Sequence, residues 1–261
     1  WESNRSTLTY KSTEHNIDLY AAFQRLYLLT GEEKYHKRAD HAKTFVASMW
    51  DETDGKFWTG TLPDGVTINT EVVPLDVQAW AILALKDDRD HYLRALAYAE
   101  QHHAIRHGFG FKEVNGDQDG VWYEGTAQMA AAYHETGQVA RWENTVQNIT
   151  IGQNARYGGI YATDVDRIWT GFNLTDGTRW LYYHRMHVGA TAWYILAKDG
   201  MNPYWPSEKT KMPLTIVSPN GGEDWEQGST HTIRWNYNCS HRPTVKIEAL
   251  RGTNVIATIP S

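Results

Sequence analysis

Carboxylates stand at the predicted starts of helices in this sequence of 261 residues. Asp18, Asp76 and Glu124 occupy the same place in three similar segments, and Glu14 lies one helical turn before Asp18. Cleaving a glycosidic bond takes one carboxylic acid to protonate the leaving oxygen and a second carboxylate to attack or to activate water. Two carboxylates that share an apolar pocket raise the pKa of one of them, which creates the acid. These four residues are the predicted catalytic set.

Roles within this set follow from the neighbouring residues. Trp122 and Tyr123 precede Glu124 and would exclude water from it, which favours Glu124 as the acid. Asp76 would then be the base or a clamp on the substrate. The competing interpretation is that acidic residues at helix starts only cap the helix and complement its dipole.

A second group of polar and aromatic residues lies between positions 180 and 187. His184 and His187 could serve beside Tyr182, or the tyrosine after it, as the base of a lyase that removes a sugar proton. Arg185 would then neutralise a uronate carboxylate. The predicted substrate-binding residues, from this group and from the helix starts, are Trp80, Gln78, Trp122, Tyr123, Gln128, Tyr182, His184, Arg185 and His187.

The metal-binding patterns in the sequence are incomplete. His184 and His187 have no second histidine pair at ligand spacing, so zinc is not predicted. Asn115–Gly120 alternates oxygen ligands and ends in Gly, as a calcium loop does, but Thr126 stands where an EF-hand loop has Glu. We predict no cofactor, with calcium at this segment as the alternative.

Self-similarity along the chain predicts the fold. Four apolar segments follow an ionisable residue at the same place, namely Asp18, Asp76, Glu124 and His187. Amphipathic helices are predicted after the first three, at Glu32–Trp50, Arg89–His103 and Gln138–Asn148. Buried inner helices within an outer layer predict a mainly α fold, an α/α toroid over residues 1–200. Three complete hairpins, against six in the common (α/α)6 toroid, predict an incomplete or open ring.

The sequence changes character after residue 200. Residues 201–213 hold three prolines without periodicity and are predicted to be a linker. Residues 214–261 alternate in strand fashion between Gly and Pro turns, which predicts a small β-sandwich module. Because the chain stops within an apparent strand, we expect this module to be truncated.

Composition narrows the classes of partner. A net charge of −6 with scattered Lys and Arg argues against nucleic acid, and no apolar run in this fragment reaches the length of a membrane span. Twelve Trp and 15 Tyr against 6 Phe suit a groove in which sugar rings stack, as well as a helical core. Asn148, Asn173 and Asn238 begin N-glycosylation sequons, which predicts an exported glycoprotein, extracellular or at the cell surface.

Two resemblances add to this interpretation. Pro219–Trp225, with Gly228 and Ile233–Trp235, resembles the Kre9/Knh-type extracellular β-sandwich repeat, which implies an exported protein and a non-catalytic accessory module. The helical region resembles α/α-toroid glycoside hydrolases and polysaccharide lyases through its Tyr123–Gly125 helix start and Trp-rich inner helices. The second resemblance implies a secreted glycoside hydrolase that cleaves a polysaccharide or oligosaccharide.

Two alternatives stay open at this point. The first is a polysaccharide lyase on the same fold. The second is a non-catalytic structural or adhesive protein of the cell surface, in which the sandwich joins the toroid to neighbours and copies of the chain self-associate.

Overall fold

The computed structural model describes residues 7–112, 120–174, 176–205, 214–226, 228–237, 247–251 and 254–259. The chain forms two compact units, Trp1–Pro206 and Ser207–Ser261. Within the described residues, no helix is both long and apolar enough to cross a membrane.

Helices of the first unit form an inner and an outer layer. The inner layer holds α1 (Thr13–Thr30), α3 (Leu75–Ala84), α6 (Tyr123–Glu135) and α8 (Val188–Lys198), which pack side by side in that order. The outer layer holds α2 (Glu33–Ser48), α4 (Arg89–Tyr92), α5 (Arg94–His102) and α7 (Val139–Ile149). Because α2 packs on α1, α5 on α3 and α7 on α6, the predicted helical hairpins are present.

Burial separates the middle of the inner row from its ends. Every residue of α3 except Trp80 is buried, and most of α6 is buried as well. The end helices differ, because Leu28 and Leu29 of α1 and Val188 and Ile195 of α8 are exposed. Within the described residues, the inner row is therefore an open arc.

Aromatic side chains pack between α3 and α8. Trp80 stacks on Trp193 with ring centroids 5.8 Å apart, and Tyr204 meets Trp80 edge-on at 6.2 Å. The side chains of Asn202 and Trp205 donate hydrogen bonds to carbonyls near the end of α3, at 3.0 and 2.8 Å. Residues 202–205, at the start of the predicted linker, thus pack against the helical unit. Residues 206–213 lie outside the described part.

Short antiparallel hairpins connect each outer helix to the next inner helix. They are β1 (Trp50–Asp51) with β2 (Lys56–Phe57), and β3 (Ala104–Ile105) with β4 (Gly108–Phe109). The first N–H of three inner helices donates to a carbonyl of a later connecting segment, from Thr13 to Thr59 at 2.9 Å, from Leu75 to Phe111 at 2.9 Å and from Tyr123 to Ala162 at 3.0 Å. These bonds satisfy donors that a helix start leaves free, and they hold the starts of α1, α3 and α6 at one end of the unit.

The start of α1 lies earlier than the sequence alignment placed it. Ser12 caps the helix, its Oγ accepting from the N–H of His15 at 3.3 Å, so Glu14 is the second residue of α1. Asp76 and Glu124 are likewise the second residues of α3 and α6. Glu14, rather than Asp18, is therefore the structural equivalent of those two carboxylates.

A longer hairpin precedes α8. Its strands are β5 (Ile168–Asn173) and β6 (Arg179–Tyr182), which pair antiparallel with a register shift between Trp169 and Asn173. The guanidinium of Arg179 lies 4.5 Å from the centre of the Trp169 ring. This hairpin, which carries aromatic side chains toward the helix starts, was not predicted from the sequence.

The second unit contains two antiparallel strand pairs among its described residues. β7 (Leu214–Ser218) pairs with β8 (Arg234–Tyr237), and β9 (Ile247–Arg251) pairs with β10 (Asn254–Ile259). The rings of Trp225 and His231 stack 4.2 Å apart. Strands are therefore present where they were predicted, whereas the β-sandwich and its Kre9/Knh-type character stay predictions.

Candidate active site

A cavity of about 190 Å³ lies at the starts of the inner helices. The second residues of α1, α3 and α6, Glu14, Asp76 and Glu124, all line it. The other lining residues are Thr59, Pro74, Val77, Trp80, Phe111, Trp122, Gln128, Phe172, Trp180 and Tyr182. We call this the carboxylate cavity, and it unites three of the four predicted catalytic residues.

Burial and mutual repulsion raise the pKa values of these carboxyls. Burial, then the charges of Glu14 and Glu124, raise the pKa of Asp76 to about 8. Burial and the charge of Glu14 raise the pKa of Glu124 to about 7, and burial also raises the pKa of Glu14. Like charges in a poorly solvated space cannot all be ionised, so the group holds at least one proton at neutral pH.

Glu124 faces the start of α8. Its Oε2 lies 3.4 Å from Nδ1 of His187, and the same nitrogen accepts from the N–H of Ala190 at 3.2 Å. A Cβ on Gly189 would lie 2.8 Å from both carboxylate oxygens of Glu124. The second residue of α8 is thus a glycine where α1, α3 and α6 have a carboxylate. Sequence reasoning missed Gly189, because the repeat aligned His187, two residues earlier, with the carboxylates.

Aromatic rings form most of the remaining wall. Phe111 and Trp122 are in contact at a centroid distance of 4.6 Å, and Phe172 and Trp180 come from the β5–β6 hairpin. Phe111, Phe172 and Trp180 were not predicted as site residues. Such rings limit hydration and present apolar faces to a ligand.

Some polar atoms of this wall have no partner among the described residues. They are Nε1 of Trp80, Nε1 of Trp122 and Oε1 of Gln128, all buried. Buried polar groups are normally hydrogen-bonded, because leaving one unsatisfied costs about 1–3 kcal/mol. Among the described residues, two donors and one acceptor of side chains that line the cavity are therefore unpaired.

Three predicted residues of α1, α3 and α6 lie outside the carboxylate cavity. Asp18 does not line it, and instead accepts a hydrogen bond from the Tyr204 hydroxyl at 2.9 Å. Gln78 is fully buried and exchanges hydrogen bonds of 2.9 Å with the backbone of Phe57, so it joins β2 to α3 rather than contacting a substrate. The ring of Tyr123 packs against Gly152, where a Cβ would lie 2.4 Å away.

The residues of the lyase hypothesis are only partly assembled. The His184 ring stacks on Tyr161, with Nδ1 at 2.6 Å from the carbonyl of Thr163, and Arg185 lies over the ring of Tyr183 at 5.1 Å. Neither residue lines the carboxylate cavity. Tyr182 does, but burial and the nearby carboxylates raise its pKa to about 12. A tyrosine base would need the opposite shift.

The part of the chain that the structure describes contains no group of three or more His, Cys, Asp or Glu side chains arranged to hold a metal ion. Residues 115–119 of the predicted calcium loop lie outside the described residues, as does Asn238. Asn148 lies near the end of α7 and Asn173 is exposed at the end of β5, and glycosylation there stays a prediction.

Comparison with solved structures identifies the architecture. A GH105 family member from Salmonella enterica, described as possible, superposes with a TM-score of 0.57 at 13% identity, covering 74% of this chain and 57% of its own. A glycosyl hydrolase of family 88 from Bacteroides vulgatus gives 0.54 at 12% identity, with 75% and 63% covered. A polysaccharide lyase gives 0.52 at 13% identity, with 75% and 62% covered. The helical unit has an α/α-toroid fold.

The matched structures are longer than this chain. The chain spans about three fifths of the length of the solved structures it resembles. No protein-family model matches the sequence. No curated protein matches it either. The similarity therefore establishes the fold.

Proposed function

We propose that this chain is part of a carbohydrate-active enzyme that hydrolyses glycosidic bonds, with the carboxylate cavity as its catalytic centre. The observation that carries the proposal is the convergence of Glu14, Asp76 and Glu124, each with a raised pKa, in one aromatic-walled cavity. A shared proton among buried carboxylates provides both an acid and a base at neutral pH. Solved structures with this fold are named as glycoside hydrolases, which agrees with the proposal.

The environment of each carboxyl assigns its role. Glu124, whose pKa is about 7, is the proton donor, because an acid works best when its pKa is near the working pH. Asp76 holds its proton to about pH 8, so it is a hydrogen-bonding clamp on the substrate rather than the base. Glu14 is only partly buried, and the nearby His15 counteracts part of the effect by which burial raises its pKa. Glu14 is therefore the base or nucleophile.

Cleavage of the glycosidic bond takes one proton from the acid and one molecule of water. The bond between the anomeric carbon and the leaving oxygen breaks, and that oxygen takes the proton of Glu124. Glu14 either attacks the anomeric carbon or takes a proton from the attacking water. In both routes water supplies the new hydroxyl on the carbon. Where Glu14 attacks, Glu124 takes the proton of the water that hydrolyses the bond between the sugar and Glu14, and the acid is restored. Where Glu14 activates the water, Glu14 takes that proton, and proton exchange with solvent then returns Glu124 to its acid form and Glu14 to its carboxylate.

Charge in the cavity favours an uncharged substrate. Three of the lining residues are acidic, namely Glu14, Asp76 and Glu124. No Lys or Arg is among the described lining residues. A uronate placed there would add a further negative charge to a poorly solvated group of acids. We therefore propose a neutral sugar at the bond that is cleaved.

A non-catalytic scaffold accounts less well for this cavity. Buried carboxyls with raised pKa values destabilise a fold, as do unpaired polar atoms such as Nε1 of Trp122. A scaffold would be more stable with apolar residues at these positions. Such local costs are typical of functional sites.

Export and an accessory role for the second unit belong to the proposal as well. Their support is the sequence similarity of Pro219–Trp225 and Ile233–Trp235 to the extracellular Kre9/Knh-type repeat, together with the sequons.

The test is a screen of the chain against neutral and uronate-containing polysaccharides. New reducing ends and absorbance near 235 nm would be followed together, because only lyase products absorb there. We expect reducing ends from a neutral polysaccharide without absorbance, and their loss in Glu124→Gln. Glu143→Gln, which changes an exposed carboxylate of α7, is the matched control. Absorbance that survives in Glu124→Gln would contradict the proposal.

A further inference from the structure

A second and larger cavity opens beside the carboxylate cavity. Its volume is about 490 Å³, and Lys56, Trp58, Val73 and Tyr98 are among the residues that line it. We call it the Trp58 cavity.

The two cavities share a wall. Trp58 lines one and the next residue, Thr59, lines the other; Val73 and Pro74 are divided in the same way. Neighbouring Cα atoms are about 3.8 Å apart, so two crossings of the backbone separate the cavities. The two cavities therefore lie next to each other, on either side of the same two backbone segments.

The Trp58 cavity has a charged lysine in its wall, and the charge of that lysine is balanced by neighbouring carboxylates. Lys56 is only 4% exposed, and its ammonium pairs with Asp54 and lies 3.4 Å from a carboxylate oxygen of Asp51. The same ammonium lies 4.2 Å from the ring centre of Trp58 and 5.1 Å from that of Tyr98. These contacts fix the positions of the two rings and leave no net positive charge for an anion.

Rings and polar groups in this arrangement suit a neutral sugar. The half-buried Trp58 offers an aromatic surface, and the exposed Asp54 has carboxylate lone pairs for sugar hydroxyls. His102, stacked on Tyr98 with centroids 4.2 Å apart, completes the aromatic side of the cavity. A volume of this size lies within the range of small-molecule sites.

We infer that the Trp58 cavity is a second sugar-binding subsite, which holds a neutral unit of the same carbohydrate chain whose bond is cut in the carboxylate cavity. This inference rests on the proposed function. It implies that the enzyme acts on oligosaccharides or polysaccharides and gains affinity with chain length.

The experiment compares chain lengths. Rates of cleavage would be measured for the gluco-, manno-, xylo- and chito-oligosaccharides from disaccharide to hexaose, with the wild type, Trp58→Ala and Thr70→Arg. Thr70 is exposed at the edge of the Trp58 cavity, so the arginine would obstruct it without disturbing the core. Tyr157→Ala removes an exposed ring that lines neither cavity and is the control.

For the series that is cleaved, we expect the wild-type KM to fall with chain length. Both cavity variants should raise the KM for the hexaose about tenfold, as the loss of one stacking contact predicts. The kcat, and the KM for the shortest substrate that is cleaved, should stay unchanged. Cleavage of the hexaose with wild-type KM by Trp58→Ala and Thr70→Arg would overturn the inference while leaving the proposed function intact. Absence of cleavage of every series by the wild type would overturn both.

Discussion

Gly189 lies against Glu124 so closely that a Cβ on the glycine would be 2.8 Å from each carboxylate oxygen. Elsewhere in a helix, replacing Gly by Ala stabilises the fold by about 0.5–1 kcal/mol. Here the methyl group has no room unless Glu124 moves. The first residues of α8 thus determine where the proposed proton donor lies.

Gly189→Ala should therefore lower kcat by about 100-fold, since displacing an acid by about 1 Å has an effect of that order. We also expect it not to raise the free energy of unfolding. Kinetics and urea denaturation would measure both effects. Gly159→Ala is the matched control, because a Cβ there would be at 3.6 Å from Met186 and Thr191, an ordinary contact. Equal rates in both variants would contradict the role given to Glu124.

The dependence of rate on pH should be bell-shaped. Activity falls as the pH rises through about 7, because Glu124 loses the proton that it must donate. The acid limb reports Glu14, whose pKa burial raises above its ordinary 4.5. Profiles of kcat/KM from pH 4 to 9 would show both limbs. An alkaline limb above pH 9 would exclude Glu124 as the acid.

Stability should fall with rising pH through the titration of Asp76. Its pKa is about 3.9 in an unfolded chain and about 8 in the folded one, so the folded state binds more protons between these values. The free energy of unfolding then decreases by up to about 1.4 kcal/mol per pH unit across this window. Asp76→Asn should flatten the decline and be more stable than the wild type at pH 9. Denaturation curves at pH 5, 7 and 9, with Glu143→Gln as control, would show whether this is so.

The titration of His103 should make the free energy of unfolding fall as the pH falls, the opposite of the effect of Asp76. It is fully buried at the end of α5, and burial lowers its pKa to about 3. Because an unfolded histidine titrates near 6.5, the unfolded state binds the extra proton between these values, and stability is lost as the pH falls below about 6.5. His103→Leu should lose less stability between pH 7 and pH 4 than the wild type. The exposed His41→Gln should behave like the wild type, and equal acid sensitivity in all three proteins would refute the prediction.

The repeat made much of the helical unit predictable. Apolar runs identified α3 and α6 as buried, and the shared acidic residue identified Asp76 and Glu124 as neighbours in space. Both signals are local, because they depend on helical periodicity and on the positions of helix starts. Solved structures with the same fold agree with the predicted toroid.

Other features depended on contacts that the sequence does not display. Because Ser12 caps α1, this helix begins earlier than the repeat predicted, and Glu14 rather than Asp18 is the equivalent of Asp76 and Glu124. Gln78 resembled a substrate contact, yet its amide is used by the backbone of Phe57. Phe172 and Trp180 reach the carboxylate cavity through the β5–β6 hairpin, whose pairing involves residues distant from the inner helix starts.

The central claim is that the three carboxylates act together on a glycosidic bond. Its most direct test is the initial rate of reducing-end release from the best neutral substrate by the wild type, Glu14→Gln, Asp76→Asn and Glu124→Gln, with Glu143→Gln beside them. We expect Glu14→Gln and Glu124→Gln to lose at least about 100-fold in kcat, as removing a catalytic acid or base does, and Glu143→Gln to keep full activity. Wild-type rates in Glu14→Gln and Glu124→Gln would contradict the account.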